Sequence, residues 1–274
     1  MAAARPPALF AANLSTLWPE APFLARFALA RRAGFRLVEA QWPQHEATAP
    51  QVREQLDRHG LRMVLMNLSA GSRSGDLGLA ADPSREREFE ASLAEGRAFA
   101  AEVGVPKVHC LAGMAAAGVE GAAAQGCYVE RLRRAADALG EDGRQLLIEP
   151  LSVPGYHLGS LGHAMATLEE VDRTNARLQF DFYHVQRLQG NVAEALRSCL
   201  GRIGHVQLAG VPGRHEPDED RSLRDGGPCK RGSARPPDLA GPCEDPFWLT
   251  RVSEPLVAAR RPRILADPGS RSPA

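Results

Sequence analysis

Three short apolar runs in this sequence each end in a side chain that offers oxygen. Leu146-Leu147-Ile148 stops at Glu149 and is followed by Pro150, Leu178-Gln179-Phe180 stops at Asp181, and His205-Val206 stops at Gln207. Such runs, bounded by turn signals, read as buried parallel strands. In sheets built from strand-helix units the chemistry sits at the C-terminal ends of the strands. The pattern therefore predicts that successive strands deliver Glu149, Asp181 and Gln207 to one mouth. A carboxylate desolvated there has a raised pKa suited to shuttling a proton. The bland reading, a strand-end carboxylate accepting neighbouring amides, stands equal to it on these residues alone. Arg214, just past the third run, has the fork geometry to bind a substrate carboxylate, and a surface arginine is nearly as good a reading. Trp42 reads either as an apolar wall of the pocket or as rim packing. His109 and His205 fall inside strand patterns, where satisfied core histidines are the expectation.

The elements that would position these groups alternate regularly. Strand one is expected at Leu9–Asn13, then a helix over Pro19–Ala33 closed by Gly34. Strand two runs from Arg36 to Gln41. Thr48-Ala49-Pro50-Gln51 is a capping-box start with proline in the first turn, opening a helix that Gly60 stops after His59. Strand three covers Met63–Met66 and ends at Asn67, and a Gly/Ser-rich loop from Ser69 to Leu79 is long enough to cover a substrate. Asp82-Pro83 starts a helix to Gly104, Lys107–Leu111 is strand four, and a helix surrounds Tyr128–Leu139. After the Glu149 strand come a helix over Ser160–Val171, strand six at Leu178–Asp181, a helix at Asn191–Leu200 capped by Asn191, and strand seven at His205–Leu208. Seven units of roughly 25–45 residues, without a dinucleotide glycine fingerprint, predict an α/β chain of the TIM (β/α)₈ barrel type with no nucleotide cofactor.

The 274 residues hold 44% apolar and 24% charged side chains, the make-up of a soluble globular protein. With 33 basic against 33 acidic residues there is no electrostatic case for nucleic acid or an anionic membrane as partner. No apolar run is long enough to span a bilayer. Five cysteines without C-x-x-C spacing point to reduced thiols and a cytoplasmic setting. Nothing decides between monomer and oligomer.

The pattern changes after Arg214. From Pro217 the sequence is rich in proline and arginine and loses its apolar periodicity, a composition suited to linkers. Two parts are expected: residues 1–216 with strands one to seven, and a divergent, poorly ordered tail at 217–274. The tail reads as an ending replaced by an alternative frame or splice form, which leaves the barrel incomplete at strand and helix eight. Only Arg263–Asp267 imitates a strand there.

Several runs together resemble hydroxypyruvate isomerase and its relatives on the xylose isomerase-like barrel. They are Phe10-Ala11-Ala12-Asn13-Leu14-Ser15, Val38-Glu39 with Trp42-Pro43, Leu147-Ile148-Glu149-Pro150, Asp181-Phe182-Tyr183-His184, and Gly204-His205-Val206-Gln207-Leu208-Ala209-Gly210-Val211-Pro212-Gly213-Arg214. The resemblance covers roughly residues 8–219 and implies interconversion of hydroxypyruvate with 2-hydroxy-3-oxopropanoate through an enediolate. It makes Glu149 an acid–base residue and brings His184 to a substrate oxygen, beside the substrate-contact readings of Arg214 and Trp42 given above. It also implies a divalent metal on strand-end residues, three of which match Glu149, Asp181 and Gln207; oxygen donors of this kind favour Mg²⁺ or Mn²⁺. A second family glutamate, at the end of strand eight, has no match in this sequence. That departure opens a reading as an incompetent isoform, beside the other alternative of a ketose 3-epimerase.

Overall fold

The structure is a computed structural model and describes residues 10–114 and 118–214. Seven parallel strands form one sheet in sequence order. They are β1 (Ala11–Asn13), β2 (Leu37–Ala40), β3 (Arg62–Asn67), β4 (Lys107–His109), β5 (Gln145–Ile148), β6 (Ala176–Asp181) and β7 (Ile203–Gln207). The intervening helices are α1 (Phe23–Arg32), α2 (Ala49–His59), α3 (Glu86–Val103), α4 (Gly121–Glu141), α5 (Leu161–Val171), α6 (Phe182–Leu188) and α7 (Val192–Cys199). The sheet curls into a half-barrel. Lys107 at the start of β4 donates across its interior to the Gly204 carbonyl of β7 at 2.6 Å.

Alternation along the strands creates the two faces. Val108, Ile148 and Phe180 are fully buried in the layer between sheet and helices. Their neighbours at i ± 1 point into the curl, as the period of two requires. Glu39, Asn67, His109, Glu149, Asp181 and Gln207 thus all sit at the C-terminal ends of their strands and line one cavity. Register holds them level, with Asn13 paired to Glu39, Asn67 to His109, and Asp181 to Gln207. Two irregularities fall beside this ring, between Val38 and Glu39 and between Leu178 and Gln179. Bulges of this kind re-aim the side chain that follows, and both following residues enter the polar network described below.

Local chemistry sets several boundaries as expected. Thr48 and Gln51 form the capping box of α2, with Pro50 in the first turn, and Gly60 closes the helix at φ 59°. Ser160 caps α5 by accepting from the His163 amide. Two expectations need correction, and one element is new. Helix α1 begins only at Phe23, because Trp18–Ala21 makes a turn of its own. Asn191 is at φ 45° and its amide reaches Glu194, so it does not cap α7 through its side chain. The short α6 was not foreseen; it starts when the Asp181 carboxylate accepts from the Tyr183 amide at 2.8 Å.

The loop after β3 is pinned rather than free. Arg85 grips Asp76 through two hydrogen bonds of 2.7 and 2.6 Å and also bonds Glu88. Leu77, carried by this loop, lines the cavity. At the other end of the sheet, no strand among the described residues covers the outer edge of β1 or β7, and Phe10, Val206 and Leu208 are exposed there. The expectation of a poorly ordered tail at 217–274, with 263–267 as its one strand-like run, lies outside the described residues. Cys110, Cys127 and Cys199 are free thiols, and no described helix is long and apolar enough to cross a membrane.

Candidate active site

The cavity has a volume of about 800 Å³ and opens at the C-terminal ends of the strands. Glu149 is 5% exposed at its centre. Its Oε2 accepts from Gln179 Nε2 at 2.8 Å, whereas Oε1 is buried without a hydrogen-bond partner among the described residues. Burial, and after it the negative charge of Asp181, push the Glu149 carboxyl well above the ordinary carboxylate range, with Arg214 opposing.

The amide chain behind Glu149 has a fixed direction. Gln207 Nε2 donates to Glu39 Oε1 at 2.6 Å, so its own Oε1 faces Gln179 Nε2 at 3.0 Å. Gln179 must then turn a donor to Glu149. A proton carried by Glu149 therefore belongs on Oε1, the oxygen left free. Glu39 ends the chain, accepting from Asn13 at 3.0 Å as well and paired with His205 Nε2 at 2.7 Å.

Asp181 and His184 form the second flank. Asp181, 1% exposed, gives one oxygen to the Tyr183 amide and the other to Arg214 Nη2 at 2.7 Å. The Arg214 guanidinium also lies over the Tyr183 ring, 5.0 Å from its centroid. His184 Nδ1 accepts from the Ser152 amide at 3.0 Å, and a backbone amide can only donate. The neutral ring therefore carries its proton on Nε2, which lies 3.8 Å from Asp181. Burial holds His184 down at about 4, Asp181 opposing and Arg214 adding to the effect, so the ring is uncharged near neutrality. One ligand atom each from Glu149, Asp181 and His184 falls within 4.8 Å of the others, close enough to share a cation.

The structure thus brings Glu149, Asp181, Gln207, His184 and Arg214 together at one mouth. Trp42 is not among them. Its ring stacks on His45 at 3.1 Å between centroids and lines a smaller adjoining depression, because Pro43–His45 forms a 3₁₀ turn that carries the indole away. His109 departs from the satisfied core histidine expected of it. It is buried and lines the cavity, yet neither ring nitrogen has a hydrogen-bond partner among the described residues. Burial lowers it to about 3. His205 is satisfied, but by Glu39 inside the cavity. Glu39 and Gln179 were missed as site residues. Glu39 ends its apolar run as Glu149 does, which is the signal that was present; Gln179 sits inside its strand and carried none.

A model of the xylose isomerase-like TIM barrel matches residues 27–228. The 2-oxo-tetronate isomerase of Cupriavidus necator is 41% identical over 213 residues, covering 76% of this chain and 82% of its own. The hydroxypyruvate isomerase of Escherichia coli is 37% identical over 212 residues, with the shares again 76% and 82%. A crystal structure titled AP endonuclease, family 2, from Brucella melitensis superposes with a TM-score of 0.75 at 35% identity, covering 80% of this chain and 89% of its own. A D-allulose 3-epimerase from Methylomonas sp. has a TM-score of 0.63 at 19% identity over 75% and 73% of the two chains, a likeness of fold alone.

Proposed function

The chain belongs to the xylose isomerase-like TIM barrel family and is an isomerase, and we propose that it interconverts hydroxypyruvate and 2-hydroxy-3-oxopropanoate through an enediolate. The observation that carries this reading is Glu149, a buried carboxyl with a raised pKa and one unbonded oxygen among the polar side chains at the strand ends. Moving a carbonyl to the neighbouring carbon requires a base at the carbon that loses its proton and a donor at the oxygen that gains charge. Glu149 Oε1 takes the proton from the hydroxymethyl carbon and returns it to the adjacent carbon. His184, uncharged and protonated on Nε2, donates to a substrate oxygen. Arg214 beside Asp181 supplies positive charge for the substrate carboxylate.

A divalent cation fits this mouth. Two buried carboxylates face one another, and burial forces Glu149 towards its protonated form, a pressure that a cation would relieve. Glu149 and Asp181, whose ligand atoms are close enough to share an ion, would hold it, with Gln207 as a third oxygen donor if its Oε1 released Gln179. Oxygen donors favour Mg²⁺ or Mn²⁺. His184 is the poorer ligand because its Nε2 is protonated while Nδ1 accepts from Ser152. When bound, the ion would stabilise the developing oxyanion as a Lewis acid. Excess Mn²⁺ should raise the melting temperature of the wild type and leave Asp181→Asn unmoved, since a ligand that binds only the folded state stabilises it. An unchanged wild-type transition would remove the metal from this reading.

The substrate is tested by comparing turnover of hydroxypyruvate, 2-oxo-tetronate and a free ketohexose under one set of conditions. Preference for hydroxypyruvate supports the reading. A better rate with 2-oxo-tetronate moves the substrate to that of the C. necator relative, and exclusive action on the ketose would replace isomerisation by epimerisation.

A further inference from the structure

A polar side chain that is buried, faces a cavity and has no partner in the protein has its partner in the ligand or has none. His109 is such a residue. It is 2% exposed at the end of β4, and both its nitrogens are unbonded among the described residues. Its Nδ1 lies 3.8 Å from Glu149 Oε2, beyond a hydrogen bond but alongside the base. A substrate carbon that meets Glu149 therefore brings its attached oxygens up to the imidazole. The surroundings differ from those of every other histidine at this mouth, since His184 is held by Ser152 and His205 by Glu39. With no carboxylate in bonding contact, the uncharged ring is the form this burial keeps.

We propose that His109 is a catalytic residue that moves the oxygen-bound proton of the isomerisation, while Glu149 moves the carbon-bound one. This rests on the isomerase reading above. As Glu149 removes the hydroxymethyl proton, the electron pair forms the carbon–carbon double bond and the carbonyl π pair moves to its oxygen. That oxygen takes the proton of an imidazole N–H. As the enediol collapses, the former hydroxyl oxygen returns its proton to the same ring nitrogen and becomes the new carbonyl, and Glu149 protonates the adjacent carbon. Both side chains end as they began and no co-reactant is consumed. An uncharged imidazole suits the task because its N–H is closer in acidity to an enediol than an imidazolium would be.

The test separates the two proton transfers. His109→Gln retains a donor and an acceptor but cannot relay a proton. Deuterium entry from D₂O at the hydroxymethyl carbon of hydroxypyruvate should stay within about tenfold of wild type, while isomerisation falls by roughly 10² or more. The exchange-to-isomerisation ratio should therefore rise at least about tenfold; an unchanged ratio overturns the proposal. If the wild type acts on none of the acids tested, the isomerase reading has failed, and His109→Leu decides separately whether the ring is kept for a ligand. Removing two unpaired buried nitrogens should then raise the melting temperature by roughly 2–4 °C. A lower or unchanged melting temperature would make His109 part of the packing and end the proposal.

Discussion

Arg131 and Glu149 are both buried ionisable residues, and the protein treats them in opposite ways. Arg131, 0% exposed in α4, is matched throughout: it donates to the carbonyls of Leu79 at 2.7 Å and Asp82 at 2.8 Å, and pairs with Glu86 at 2.7 Å. Those bonds anchor the chain between the β3 loop and α3, next to the Arg85–Asp76 grip. At the strand ends the accounts stay open. Glu149 keeps one oxygen without a partner, His109 two nitrogens, and Gln179 its carbonyl oxygen. Buried polar groups in folded proteins are nearly always bonded. Trp42, Gln44, Tyr128, Arg134 and Arg202 also keep atoms without a partner among the described residues. At the strand ends, however, the unbonded atoms share one cavity with a titratable carboxyl, which marks them as groups kept for a ligand.

The largest effect expected from perturbing this contrast is on the matched side. Arg131→Met removes the donor to two carbonyls and should cost about 2–3 kcal/mol, read as a lower urea midpoint at unchanged m-value. A loss of only a few tenths would put Arg131 on a par with surface pairs. On the open side the sign reverses. Glu149→Gln should raise stability near neutral pH, because the amide places no charge in the buried site where burial and the charge of Asp181 disfavour the carboxylate. The folded-state pKa of Glu149 is raised, so the native protein loses stability as pH climbs past the unfolded carboxylate value. The gain from the substitution should therefore vanish below about pH 4. Equal stability of the two proteins at neutral pH would mean that Glu149 is not strained.

A smaller effect should appear on the acid side. His109 and His184 are held down at about 3 and about 4 from an ordinary 6.5. The unfolded chain takes up these protons first, so both groups cost the native state stability as pH falls from about 6.5 towards 4. Urea midpoints of the wild type should fall through that window, and His109→Leu should flatten the fall. A slope that the substitution leaves unchanged would mean that other groups govern the acid limb.

Much of this arrangement was legible in the sequence, and the reasons differ by residue. Glu149, Asp181 and Gln207 could be found because each ends an apolar run, and a strand's period of two then fixes where the side chain points. The capping box at Thr48 and the stop at Gly60 are purely local chemistry and were equally readable. Glu39 carried the same strand-end signal, but its partners Asn13, His205 and Gln207 lie as far as 168 positions away. Such a network needs the curl of the sheet to exist. His109 was misread because burial alone implies a bonded partner, and only coordinates reveal that the partner is missing. Of the two readings open for Trp42, wall or rim packing, the choice depended on a three-residue 3₁₀ turn at Pro43–His45 that places it beside the adjoining depression, a detail below the reach of hydrophobic periodicity.

The central claim, that Glu149 is left unmatched in order to move a carbon-bound proton, is tested most directly by exchange with solvent. Wild-type protein and Glu149→Gln are incubated with hydroxypyruvate in D₂O, and loss of the hydroxymethyl proton signal is followed by NMR. Wild type should incorporate deuterium, and the substitution should slow incorporation by roughly 10² to 10⁴ while the protein stays folded. Exchange by Glu149→Gln within a factor of a few of wild type would contradict the claim and leave the base to be sought elsewhere in the mouth.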